Sequence, residues 1–195
     1  MSLPKSLDEL IALTKEAIAS GELSPELTVE FEANCKAIDE MPKEERESTD
    51  YFLRHMPDTD SDLALIVLKG HLLLEQRTRE FISERMLSPN ALDDARLTSH
   101  QLICLAEALT LPNEQPKRMW SALRKLNALR NQLAHNLAPN RIEERVQEIV
   151  NDYSSAWPAQ SGFVGVLANA YAQLSELCRI ARDPSFRIRG RAASK

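Results

Sequence analysis

Residues 129–135 of this chain read Leu-Arg-Asn-Gln-Leu-Ala-His, which sets Arg130 and His135 five positions apart with Asn131 between them. Histidine is the side chain best suited to general acid–base work near neutral pH. A guanidinium holds a phosphate in a planar fork and steadies charge that builds on it. Together they suffice for cleavage of RNA by its own 2′-hydroxyl, with no metal required. The histidine takes and returns a proton, the arginine stabilises the phosphorane, and Asn131 orients the imidazole or the phosphate. On a helix the pair lies roughly 140° apart. The two side chains therefore converge only on a ligand at the rim of the helix face, or across an interface with a second copy.

Other chemistries find little to work with. Five glycines form no phosphate-cradling loop. His-x3-His and Cys-x2-Cys metal spacings are absent, as is a Gly-x-Ser-x-Gly elbow. The three cysteines, Cys35, Cys104 and Cys178, stand far apart and read as small core residues of a reducing cytoplasm. No DNA-reading helix-turn-helix is evident. Neither a metal nor a cofactor is expected.

The motif needs a helix to carry it, and the spacing predicts one over residues 117–137. Met119, Leu123, Leu126, Leu133 and Leu137 share one stripe, and Arg130 falls in its middle. Arg124, Asn127, Asn131 and His135 gather on the flank. A charge on an apolar stripe is costly unless paired. Glu75 offers itself from a long helix predicted over residues 63–86. It either forms a surface i,i+4 pair with Arg79 or reaches across the core to Arg130. His71, one turn earlier, reads as a hydrogen-bonded core histidine.

That long helix is apolar almost all round, so it is expected to be central and covered by neighbours. Asp60, Ser61 and Asp62 supply its cap. Thr98 to Gln101 forms a capping box for the next helix, and Asn140 with Glu143 caps a shorter one carrying Ile142, Val146 and Ile149. A last helix runs from Phe163 to about Ala181. Before residue 61, Ser6 with Glu9 and Ser24 with Pro25 open two helices, the second with Leu27, Phe31, Cys35 and Ile38 on its stripe. Residues 43–50 are polar and read as a linker, with a short helix or turn over 51–55.

Hydrophobic and charged contents of 43% and 27% are ordinary for a soluble globular protein. No apolar run exceeds six residues, far below the ~20 that span a bilayer, and no secretory signal is seen; a cytoplasmic location without membrane contact is expected. The net charge of −5 is unevenly spread: residues 1–62 carry −10 and residues 63–195 carry +5. This divides the chain into an acidic N-terminal helical extension (1–58), a helical bundle (61–183) and a basic C-terminal tail (184–195), disordered at its end.

The string from Arg130 to His135 resembles the Arg-x4-His signature of HEPN domains, in the form with Asn after the arginine. The layout is similar too: Leu72, Leu73, Leu74, Glu75 and Gln76 on a long helix, Leu105 to Leu109 on the next, and entry to the motif through Leu126, Asn127 and Leu129. It is nearest the mannitol operon repressor-like branch and covers residues 61–183. The resemblance implies an all-α HEPN-like bundle, commonly a homodimer whose two motifs face each other across a cleft. Many members are metal-independent ribonucleases in toxin–antitoxin, phage-defence or stress systems. By position Arg130 and His135 are then the catalytic pair and Asn131 a catalytic support, with Glu75, Asn127 and Arg124 around them. RNA would be the substrate and an antitoxin or other protein the partner. One toxin branch has Tyr two residues after the histidine; Leu137 stands here, so control through that tyrosine is not expected. The repressor-like branch implies an alternative, a non-catalytic transcriptional or regulatory protein working through protein–protein contacts. Arg130 would then pair with Glu75 and His135 would lie at the dimer seam. A nucleotide sensor using the same cleft stands between the two.

Overall fold

A helix starts where the chain supplies acceptors for the free N–H groups of its first turn, and most starts here are local in that sense. A computed structural model describes residues 3–21, 23–92, 94–111, 116–135, 141–154 and 162–183. Among these residues there are eight α-helices, one 3-10 turn and no strand, so the fold is all-α. No helix among them is long and apolar enough to cross a membrane. The chain divides into two compact units, Met1–Asp60 and Ser61–Lys195.

The first unit holds α1 (Leu7–Ala19), α2 (Pro25–Asp39) and α3 (Lys43–His55). The Ser6 hydroxyl accepts from Glu9 N at 3.2 Å and the Ser24 hydroxyl from Leu27 N at 3.3 Å. Gly21, at φ +70°, follows α1 in the left-handed region that glycine enters without strain. Residues 43–50, read from composition as a linker, lie instead in α3. Only Ser48 and Phe52 are buried along that helix, so no apolar period announces it. Its polar residues are fixed by partners distant in sequence. Asp50 Oδ1 accepts from Leu7 N at 2.7 Å, and Arg46 donates to Ile38 O at 3.1 Å and pairs with Asp8. Leu27, placed by period on the buried stripe of α2, is exposed, while Cys35 is buried.

The second unit holds α4 (Leu63–Arg85), a 3-10 turn (Pro89–Leu92), α5 (Ser99–Leu109), α6 (Lys117–His135), α7 (Ile142–Ser154) and α8 (Phe163–Arg182). Asp62 caps α4 by accepting from Ala64 N at 2.9 Å. Thr98 and Gln101 complete both halves of the capping box on α5. α4 is the hub, packed on α5, α6, α7 and α8. It approaches α8 closely at Gly70, where a Cβ would stand 2.6 Å from Leu167 Cδ1. Arg77 strengthens the same seam: its Nε donates to Ser175 Oγ at 3.0 Å and its guanidinium lies 5.5 Å from the Tyr171 ring centre. Tyr153 joins α7 to α8 by donating to Asn169 Oδ1 at 2.7 Å and accepting from Gln173 at 2.8 Å. Burial pushes its phenol up to about 12.

Two expectations about this unit are corrected. α4 is not covered all round: Leu65, Leu68 and Leu72 are 43%, 37% and 58% exposed and share one face of the helix. Cys104 is exposed on α5, with its Sγ 3.6 Å from His100 Nε2, whereas Cys178 is buried and its thiol is pushed up to about 11 by that burial. The expected end of the motif helix at Leu137, the Asn140 cap and the tail over 184–195 lie outside the described residues.

Candidate active site on helix α6

α6 buries Met119, Trp120, Ala122, Leu123, Leu126, Asn127 and Leu129. At about 100° per residue, Arg130 sits near the middle of that face, as its place among the leucines predicts. It is nevertheless only half-buried. Leu133, one turn on, is half-buried too, so cover thins along the last turns of α6. A long arginine stem lies along apolar surface while its head reaches water. The head meets Asn131: Nη1 donates to Asn131 Oδ1 at 3.2 Å, and Asn131 is exposed. Among the described residues no carboxylate forms an ion pair with Arg130.

The cross-core pair between Glu75 and Arg130 is therefore not made. Glu75 Oε1 accepts from Arg79 Nη2 at 2.9 Å, the surface i,i+4 pair. Its Oε2 accepts from the Ser99 hydroxyl and lies 3.8 Å from His71 Nε2. Both oxygens are thus engaged by side chains of α4 and α5. Burial pushes its carboxyl up, but the Ser99 and Arg79 hydrogen bonds outweigh that and hold it below the ordinary range. Ser99 was not singled out by the sequence; it is the first residue of α5, and nothing in its context marks a tertiary partner.

The remaining candidates separate into two groups. Asn127 is buried and engages His71, with Nε2 to Oδ1 at 3.3 Å. Arg124 pairs with Glu107 across to α5 and is committed to that helix contact. His135 closes α6 and is exposed. It stands about 7.5 Å along the axis from Arg130 and roughly 140° around it. One chain thus brings Arg130 and Asn131 together at the surface and sends His135 to another side of the helix.

Behind the site, the seam around His71 is tightly packed. A void of about 10 Å³ lies among His71, Glu75, Thr78, Ser99, Leu102 and Leu126, at most enough for one water. Arg130 does not line that void, and its head bonds to the exposed Asn131. Among the described residues no three of His, Cys, Asp and Glu gather into a metal-ligating group. Comparison of the chain with protein-family models, with curated proteins and with solved structures finds no match.

Proposed function

We propose that the chain is a metal-independent ribonuclease of the HEPN type, acting as a homodimer in growth control, defence or stress response. The observation that carries this reading is the state of Arg130. A cation at the centre of a helix's apolar face, partly exposed and bonded only to a neutral amide among the described residues, keeps its charge for an anion. RNA phosphate is such an anion, and the +5 balance of residues 63–195 favours a sequence-independent hold on it.

In the proposed reaction His135 removes the proton from a 2′-hydroxyl. The 2′-oxygen attacks phosphorus, the bond from phosphorus to the 5′-oxygen breaks, and the imidazolium returns its proton to that leaving oxygen. Arg130 stabilises the charge on the phosphorane, and Asn131 holds the guanidinium in place. The products are a 2′,3′-cyclic phosphate and a 5′-hydroxyl. Because the two side chains diverge on one helix, the composite site takes Arg130 from one copy and His135 from the facing copy.

The test is cleavage of total and structured RNA in EDTA, beside a His135→Ala control matched in melting temperature and oligomeric state. Cleavage with cyclic phosphate ends, lost in the control, supports the ribonuclease. A folded dimer that leaves RNA intact, with or without residues 1–58, refutes it. A second reading then takes over, a regulatory protein of the mannitol operon repressor type. Its own support is the exposed face of Leu65, Leu68 and Leu72 on α4, an apolar surface suited to a protein partner.

A further inference from the structure

α6 meets α4 through a polar contact set in an apolar seam. The His71 side chain is 5% exposed and lies against Asn127, with Leu74, Leu123 and Leu126 buried around them. Since Asn127 Oδ1 can only accept, Nε2 carries the hydrogen, and in the neutral ring Nδ1 is a bare lone pair. Nδ1 is buried with no hydrogen-bond partner among the described residues. The neutral ring with its hydrogen on Nε2 therefore fits the site. A second proton, on Nδ1, would be a buried donor with no acceptor.

The surrounding charges act on the ring from two helices. Burial is the largest influence and opposes protonation; Glu75 on α4 and the Asn127 hydrogen bond favour it; Arg130 on α6 opposes it. From α5 comes Ser99, whose hydroxyl is bound to Glu75, and Arg79 holds the other oxygen of that carboxylate. On the α8 side, Leu167 packs against the neighbouring Gly70 without a charge.

Asn127 precedes Arg130 by three residues and Asn131 by four, so the three lie within about one turn of α6. A contact that holds Asn127 also holds the rotation of the turn that carries the other two. Apolar seams tolerate small rotations, whereas a buried hydrogen bond that must be satisfied admits one arrangement. We propose that His71 is a positioning residue for Arg130: its Nε2–H clasp on Asn127 sets the rotation of α6 and so presents Arg130 and Asn131 together at the surface. This rests on reading Arg130 as the group that meets phosphate.

The test uses the full chain labelled with 15N in arginine. The Arg130 Nε–H resonance, assigned by its loss in Arg130→Lys, reports the placement of the guanidinium at neutral pH. His71→Gln keeps an N–H near the position of Nε2. It should retain the Arg130 resonance position and wild-type affinity for a fluorescent oligouridylate. His71→Leu should move the resonance and weaken oligouridylate binding about tenfold, as expected when a charge-assisted contact is misaligned. An Arg130 resonance that stays in place in folded His71→Leu, or one that moves in His71→Gln, overturns the positioning role. If His71→Leu does not fold, Asn127→Ala, which removes the acceptor of the clasp, takes its place and should move the resonance in the same way. An Arg130→Ala chain that binds the oligonucleotide as wild type does overturns the phosphate-binding reading alone, and the resonance test of positioning still stands.

Discussion

Arg130→Ala separates a structural arginine from a chemical one. Had Arg130 completed a buried ion pair, its removal would orphan a carboxylate and cost on the order of 3–5 kcal/mol. Its surroundings point to a smaller loss. The change removes two methylenes, each worth about 0.8 kcal/mol when fully covered, and here the side chain is half-buried, which leaves about 0.8 kcal/mol. The hydrogen bond to exposed Asn131 adds about 0.5 kcal/mol. Alanine's better helix propensity returns a few tenths, so the net is about 1 kcal/mol. For a chain of this size that is a fall of roughly 2–4 °C in Tm. Calorimetric melting and urea unfolding at neutral pH measure it, and the same samples enter the RNA cleavage assay. The expected result is a folded dimer of nearly wild-type stability that no longer cuts RNA. A loss near 3 kcal/mol or more would refute the reasoning, because it would mean that Arg130 stabilises a buried counter-charge.

Two further outcomes follow from the packing of α4. Burial lowers the pKa of His71 below its ordinary 6.5, so below that pH the unfolded chain binds more protons than the folded one. The contribution of His71 to stability is full above 6.5, declines as pH falls, and levels off once its folded pKa is passed. Urea midpoints taken from neutral into acid should show this decline, and a slope unchanged in His71→Gln would exclude His71 as its source. Gly70→Ala would bring a Cβ to 2.6 Å from Leu167 Cδ1. Overpacking of about 1–3 kcal/mol is set against about 1 kcal/mol of regained helix propensity, for a net loss near 1 kcal/mol. Leu167→Ala alone should cost about 2–5 kcal/mol, and the double variant should be less damaged than the sum by at least about 0.5 kcal/mol. Strictly additive losses would show that the two residues do not press on each other.

Local chemistry was readable because it acts within a few residues. Ser6, Ser24, Asp62 and Thr98 are caps whose donors lie two or three positions ahead, so the starts of α1, α2, α4 and α5 are written beside them. The period of Met119, Leu123 and Leu126 likewise placed α6 and set Arg130 on its buried side, since helical periodicity is a property of consecutive residues. Tertiary structure decided whatever depends on a choice between partners. α3 hides in a charged stretch because Arg46 and Asp50 find their partners on or beside α1 and α2, which no local pattern reports. Glu75 could reach Arg79 or Arg130, and the hydroxyl of Ser99, 24 positions away, engages its second oxygen on the α5 side. Leu65, Leu68 and Leu72 have the composition of a core and are left uncovered because α4 has more apolar circumference than its neighbours occupy. The candidate site divides the same way. Arg130, Asn131 and His135 were visible as a motif, whereas the half-exposed head of Arg130 and the clasp of His71 on Asn127 exist only once α4 and α6 are packed together.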